Sequence, residues 1–509
     1  MTLIAVLYAV ATAVLLTYGL NLLWLTWKHY EQGGLRASAG AHPSDDWPFV
    51  TIQLPLYNER FVVERLISSV AKLDYPRDRF EIQVLDDSDD ETSTLAKNQV
   101  ASWRKRGVNI RHVRRDNRAG YKAGALAHGL EEAQGEFVAI FDADFIPPQH
   151  FLRRTIPVLM SDPEIGLVQA RWGHLNDRDS LLTMVQAALL DTHFVIEQDV
   201  RNEQGFFMNF NGTAGVWRAS CIGNAGGWES DTLTEDLDLS YRAQLAGWRF
   251  RYLADLEVPA EIPTTMSAWR QQQFRWTKGS VETARKILRK VWKSSIPART
   301  KVQATIHLTG FLVFPAILIA VLFHAPLLIS HQMGIGPGDA YFALLGTGIF
   351  AFLGVVLSHL SAARALYPNW KRRMQVEPFL LASSLGLAVN NTRGILEASS
   401  GLKSAFIRTP KTGNASPRTN AVYTADRGRA VLWIERLLAM YSLAGLSALV
   451  AFEAWAGVGF QLLFVLGFGL LGWYDQLWSN TRFRTVQEPE AASGESIHAP
   501  KALRVSEAA

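Results

Sequence analysis

Residues 3–27 are almost wholly apolar and long enough for one bilayer span, with Lys28 and Arg36 just beyond them and no basic residue before. The run is too long for the apolar core of a secretory signal and lacks the charged start of one. Residues 1–30 therefore read as an uncleaved transmembrane anchor with its N-terminus outside. From about 48 to 261 the pattern changes to short β-rich runs alternating with helical stretches, which predicts a sheet built from βαβ units. Strands are expected at 49–56, 80–86, 108–113, 137–142 and 166–170, with helices between them, for example at 59–72 and 121–132. In such a sheet ligands bind beyond the carboxyl ends of the strands, which is where Asp86, Asp87, Asp142 and Asp144 fall.

Between Ser267 and Lys301 there are ten Lys or Arg residues and a single acid, Glu282, interleaved with Trp269, Phe274, Trp276 and Trp292. Residues 266–302 thus read as amphipathic helix at the membrane interface. Apolar runs suited to spans follow at 306–329, 341–360, 430–452 and 455–473. The run at 378–395 is interrupted by Asn390, Asn391 and Arg393. The basic residues at 364–373 and 403–429 place both loops in the cytoplasm, and two points on one side are separated by an even number of crossings. Residues 377–402 are therefore expected to lie along the interface, giving two spans within 303–363, a cytoplasmic linker at 403–429, two spans within 430–476 and a polar tail at 480–509.

Composition refines this picture in three ways. With 509 residues, more than one unit is needed. Apolar residues at 48% and charged residues at only 19% exclude a disordered chain and agree with part of it sitting in lipid. A net charge of +4 is too small for a nucleic-acid footprint across the surface, and the single cysteine, Cys221, offers neither an internal disulfide nor a Cys-based metal cluster.

The candidate chemistry lies at strand ends and helix starts. Asp142-Ala143-Asp144 follows an apolar strand, and two hard oxygen ligands there suit Mg²⁺ or Mn²⁺ holding a diphosphate, although such a pair alone is equally a turn or a cap. Asp86-Asp87-Ser88 ends another strand, with a helix N-cap as its plainer reading. Pro55-Leu56-Tyr57-Asn58-Glu59 ends the first strand, where Asn58 is also readable as a cap. Arg118 to Gly124 brings cations, Lys122 among them, and flexible glycines to a helix start suited to a phosphate. Thr234-Glu235-Asp236 opens a helix, where Thr234 is a candidate cap and a carboxylate can serve as a general base. Gln272 and Arg275 lie three apart on one helical face beside Trp276: a guanidinium for pyrophosphate and an indole platform for a sugar ring.

Taken together, Asp87, Asp142-Ala143-Asp144, Thr234-Glu235-Asp236 and Gln272 to Trp276 resemble the D, DxD, TED and QxxRW series of membrane-embedded family-2 glycosyltransferases. The resemblance runs from about 48 to 411 and is nearest to the plant cellulose-synthase-like A and C proteins and their bacterial relatives. It is strengthened by Phe210 to Arg218 and by Gly226-Gly227-Trp228. It implies an α/β GT-A (Rossmann-like) cytoplasmic domain over 48–265, embedded in an α-helical membrane domain of about five spans with amphipathic interface helices. Phe406 to Lys411 is similar to the gating loop of bacterial cellulose synthase, with Arg408 where valine is usual there and Ser88 where glycine commonly follows the first acidic pair.

Residue by residue, the resemblance implies that Pro55, Tyr57, Asn58, Glu59, Asp86, Asp87, Lys122, Asp142, Asp144, Arg275, Thr409 and Lys411 bind the nucleotide sugar, with Asp142 and Asp144 also on the metal. It makes Asp236, with Glu235, catalytic, and it puts Asn211, Gly212, Thr213, Gln272, Arg275 and Trp276 on the acceptor. The implied activity is an inverting polymerisation of a β-linked glycan, with translocation of the product across the cell (inner or plasma) membrane. UDP-glucose is the favoured donor, GDP-mannose the other, and Mg²⁺ or Mn²⁺ the cofactor. Expected partners are the growing glycan, the lipid bilayer and accessory export subunits. No cyclic-di-GMP receptor domain of its own is expected, since the tail lacks that domain's RxxxR and DxSxxG motifs. A non-processive lipid glycosyltransferase similar to ceramide glucosyltransferase is the alternative, and a non-catalytic membrane scaffold a more distant one.

Overall fold

The protein is described from a computed structural model covering residues 1–35, 46–403, 411, 413 and 429–478. Its soluble part is built on a seven-stranded sheet: β1 (Val50–Leu56), β2 (Phe80–Asp86), β3 (Ile110–Val113), β4 (Phe137–Ile140), β5 (Ile165–His174), β6 (Gly215–Arg218) and β7 (Arg249–Ala260). The order across the sheet is β3-β2-β1-β4-β6-β5-β7. Four strands, β3 to β4 in that order, run parallel, as βαβ units require.

The sheet is mixed, and it has two strands, β6 and β7, beyond the five expected. β6 runs antiparallel to both β4 and β5, and β7 is added parallel to β5 at the edge. Along β7 the side chains of Arg249, Arg251, Asp255 and Glu257 face outward between buried neighbours, the alternation of a strand with one wet face. The sheet is covered on both faces: Ile52, Leu54, Phe141 and Phe151 belong to one apolar core, and Leu126, Ile140, Phe210 and Trp217 to the other. Burial at this scale is the main force holding the domain together.

Among the described residues five helices are long and apolar enough to cross a membrane: Thr2–Glu31, Gly310–Gln332, Asp339–Leu366, Ala430–Ala451 and Trp455–Trp473. They coincide with the five expected runs. The first and third approach so closely that a Cβ at Gly354 would lie 2.1 Å from the carbonyl oxygen of Gly19. Backbone contact of this kind substitutes for the hydrophobic driving force that is missing between helices in lipid. The ambiguous segment forms two helices, Glu377–Gly386 and Ala388–Ser399.

The sheet domain is joined to the membrane helices through the long helix Met266–Lys293. Arg270 on it pairs with the fully buried Glu435 at 2.6 Å and donates to the Leu471 carbonyl, both partners lying on the last two spans. Lys278, also fully buried, donates to the Leu402 carbonyl. Removing one partner from such a pair leaves an uncompensated charge and costs on the order of 3–5 kcal/mol, so these contacts fix where the helix sits.

Candidate active site

One cavity opens beyond the carboxyl ends of β1, β2 and β4, roofed by the Met266–Lys293 helix. Pro55, Tyr57 and Glu59 enter it from the end of β1, and Asp142 and Asp144 from just past β4. Lys122 stands on the first turn of the helix Tyr121–Glu131, with its ammonium 2.5 Å from Asp142 and 2.8 Å from the Gly212 carbonyl. Burial alone would lower the pKa of Lys122, but Asp142, Glu235 and Asp236 around it outweigh that and raise it. The ammonium therefore stays charged.

Asp236 and Glu235 open the helix Glu235–Leu245 and both line the cavity. Burial, with the Glu235 carboxylate beside it, pushes the Asp236 carboxyl up to about 7, the range useful to a base at neutral pH. Thr234 occupies the N-cap position, but its hydroxyl lies 3.1 Å from that of Thr283 and does not cap the helix. Gly212 has φ +81°, and a Cβ there would meet the Asp236 Oδ2 at 2.9 Å, so only glycine lets this loop pass between Lys122 and Asp236.

Asp87 is held bidentately by Arg115, at 2.9 and 2.5 Å. Asp144 is buried, which raises its pKa against the opposing pull of Lys411, whose ammonium lies 2.6 Å away. Gly413 donates its backbone N–H to Glu261, which also pairs with Arg65 at 2.7 Å. Lys411 and Gly413 of the gating-like linker thus lie against the cavity. Gln272, Arg275 and Trp276 enter from the roof, and burial lowers the pKa of the Arg275 guanidinium.

Three of the expected site residues are placed elsewhere. Asp86 does not line the cavity and is bonded to His112 at 2.8 Å and Arg114 at 3.1 Å; burial would raise its pKa, but the hydrogen bonds from His112, Ser88 and Ser93 hold it down to about 2. Asn58 adopts φ +55° and ties the β1 loop to Ser88 and Asp89. Thr213 uses its hydroxyl to accept the Asp142 backbone N–H, positioning the acidic pair from behind. Thr409 lies outside the described residues. Conversely, Arg115, His174 and Glu261 belong to the site or its support and carry no motif by which a sequence reading finds them. Arg118, noted among the cations before Lys122, lies over the Tyr57 ring at 3.3 Å.

Asn211 is clamped by a π-helical turn, His193–Gln198: it donates to His193 Nε2 at 3.2 Å and accepts from Gln198 at 3.2 Å. The extra residue in such a turn is a frequent mark of functional sites. A second acidic cluster, Glu229, Asp231 and Asp238, has the spacing of a cation site, but Lys286 donates to all three carboxylates.

A mixed α/β domain with paired carboxylates and cations at its strand ends, seated on membrane-capable helices, defines a class of proteins handling nucleotide-activated groups at a membrane. Residues 48–279 match the family described as Glycosyltransferase like family 2. Residues 48–279 are thus a family-2 glycosyltransferase domain, and the relatives that the chain matches are glucomannan mannosyltransferases. It is 47% identical over 252 residues to glucomannan 4-beta-mannosyltransferase 2 of Arabidopsis thaliana, covering 49% of this chain and 47% of that one. It is 46% identical over 260 residues to glucomannan 4-beta-mannosyltransferase 1 of Oryza sativa subsp. japonica, covering 49% and 50%. The chain spans about half the length of the curated relatives it matches. A mannosyltransferase from Pyrobaculum calidifontis, solved in complex with GDP-Man and Mn2+, shares the fold with a TM-score of 0.52 at 21% identity, covering 77% of this chain and 99% of that one. The sheet domain is of the GT-A type.

Proposed function

We propose that the protein is a membrane-embedded, inverting hexosyltransferase that extends a β-linked glycan from a nucleotide sugar and passes the product through its own spans. The observation that carries this reading is the single cavity in which Asp87, Asp142, Asp144, Lys122 and Arg275 meet Asp236 and Trp276 at the foot of the membrane helices. The mannosyl transfer in the relatives' names favours GDP-mannose over UDP-glucose, reversing the preference drawn from sequence.

Asp236 takes the proton of the acceptor hydroxyl as that oxygen attacks the anomeric carbon. A single displacement turns an α-linked donor into a β-glycosidic product. Lys122 and Arg275 stabilise the charge that develops on the departing diphosphate. Asp142 and Asp144 fit a divalent cation: both are hard oxygen donors on the cavity wall, with the ammonium groups of Lys122 and Lys411 against them. Bound there, Mg²⁺ or Mn²⁺ would neutralise the diphosphate. Asp87 supports the nucleoside, and Lys411 covers bound nucleotide from the linker.

In this reading the sheet domain, the basic loops and the linker share the cytoplasmic side of the cell membrane, with residues 377–402 along the interface. A cysteine replacing Gly336 should then react with an impermeant label from outside; reaction only after permeabilisation would invert the arrangement. Purified protein incubated separately with labelled GDP-mannose and UDP-glucose, followed by sizing of the product, tests the function. A long β-glycan supports it, and a single sugar on lipid would replace it with the lipid-glycosyltransferase alternative.

A further inference from the structure

His174 is the last residue of β5, and it lines the same cavity as Asp142 and Trp276. Its Nε2 lies 2.9 Å from Asp191 Oδ1, and both side chains are nearly closed to solvent at 4% exposure. Asp191 sits at the end of the helix Leu181–Thr192, two residues before the π-helical turn that clamps Asn211. Its second oxygen accepts a hydrogen bond from the Tyr367 hydroxyl at 2.8 Å. Tyr367 immediately follows the third span, and the Arg373 guanidinium lies over its ring at 4.1 Å. Arg373 is itself paired with Asp177. A chain of contacts therefore runs from the end of a membrane helix through Asp191 to one imidazole in the cavity wall.

The charge of Asp191 decides which nitrogen of His174 carries the proton. A carboxylate only accepts, so Nε2 is the protonated nitrogen of the neutral ring and Nδ1 is the bare acceptor. Nδ1 has no hydrogen-bond partner among the described residues and is not sealed from the cavity. Trp172, Gly173, Leu190 and Ile262 line the same cavity, and the one carboxylate next to its strand partner Ala260, Glu261, is paired with Arg65 at 2.7 Å. The cations and the remaining carboxylates needed for a diphosphate enter from other strand ends and from the roof. An oriented neutral acceptor on this part of the wall suits a ligand that brings hydroxyl groups without charge.

We propose that His174 is a sugar-contacting residue of the acceptor site, its Nδ1 accepting a hydrogen bond from a hydroxyl of the glycan, and that Asp191, held by Tyr367, is the positioning residue that fixes its tautomer. This rests on the reading of the cavity as a glycan-extending site. It adds to Gln272 and Trp276 a contact from the sheet, on the wall that the end of the third span backs.

The test uses the full-length protein in detergent and two titrations read by intrinsic fluorescence, one with β-1,4-mannotetraose as the acceptor probe and one with GDP. His174→Ala should weaken mannotetraose about three- to tenfold, the loss of one neutral hydrogen bond, and leave GDP within twofold. Asp191→Ala removes the carboxylate that accepts from Nε2, so that neither the ring's orientation nor the nitrogen that carries its proton is fixed any longer. It should weaken mannotetraose to a similar extent, again with GDP unchanged. In steady-state transfer both variants should raise the acceptor KM more than they lower kcat. Unchanged mannotetraose affinity in His174→Ala would overturn the proposal, and so would a parallel fall in GDP affinity in both variants, which would mark the pair as structural. Transfer of hexose by the parent protein checks the underlying reading on its own, so failure of that reading and failure of the His174 contact are told apart.

Discussion

On one part of the cavity wall the carboxylates are already answered by cations: Asp87 by Arg115, Asp142 by Lys122 and Asp144 by Lys411. On another part the wall offers His174, Asn211, Gln272 and the Trp276 indole, polar or aromatic but without net charge. The first kind of surface suits a ligand that carries its own charges, because each charge it brings exchanges one partner for another and leaves no buried charge alone. The second suits a ligand made of hydroxyls and ring faces, where each contact is modest and fit comes from the sum. A nucleoside diphosphate and a glycan differ in this way. If the proposed function is right, substitutions on the charged wall should be severe and act on the donor, and those on the neutral wall mild and act on the acceptor.

The largest effect belongs where the two walls meet. Asp236→Asn removes the base without touching the cations and should lower kcat by about 10² to 10⁴-fold while GDP still binds. Turnover near that of the parent would take Asp236 out of the mechanism. Next comes the charged wall itself. Chelation with EDTA should stop transfer, Mn²⁺ or Mg²⁺ should restore it, and Asp144→Ala should cost on the order of 100-fold in donor affinity. Full activity in chelator would mean that Lys122 and Lys411 alone balance the diphosphate.

A pH profile probes the same junction with a smaller reach. Asp236 works as the carboxylate, and burial with Glu235 beside it pushes its pKa up to about 7. A raised carboxyl pKa means protonation, and so loss of the base, sets in as pH falls through that value. kcat/KM should therefore drop about tenfold per unit below it, where an ordinary aspartate would hold its rate down to about pH 4. A flat profile between pH 5 and 8 would show that the burial around Asp236 does not survive in the working enzyme.

The charged wall was legible in the sequence and much of the neutral wall was not, for a physical reason. Asp87, Asp142, Asp144 and Asp236 sit at strand ends or helix starts, where local patterning fixes position, and acidic residues in such places are conspicuous. Hydropathy likewise located the five membrane-capable helices of the described residues, because length and apolarity are local quantities. His174 and Asp191 lie 17 positions apart, and Tyr367 a further 176 from Asp191, so only the tertiary fold makes them a unit. The π-helical turn adds a residue that no 3.6-residue periodicity announces. β6 escaped notice because it is four residues long and pairs antiparallel inside what otherwise reads as a parallel sheet. The partners of Asp86 were hidden for the same reason as those of His174: His112 and Arg114 reach it from the neighbouring β3 end, 26 and 28 positions along the chain.

The smallest expected effect sharpens the comparison most, since it asks whether the neutral wall acts by accumulation. Trp276 follows Gln272 by four positions on one helix, so both present to the same side, and that helix is pinned by Arg270 to Glu435 and by Lys278 to the Leu402 carbonyl. An indole held this firmly offers a sugar ring a flat apolar face without paying for its own ordering. Its removal in Trp276→Ala should cost about 1 kcal/mol, roughly a fivefold rise in acceptor KM, while Trp276→Phe keeps most of the face and should cost less. Donor KM and the pH profile should not move in either variant. What should change is product length, because a polymerising enzyme holds its chain between additions and a weaker hold releases it sooner. Shorter glycan at near-normal initial rate would place Trp276 on the acceptor; a raised donor KM with unchanged length would place it on the nucleotide side, and the division of the cavity into two walls would fail there.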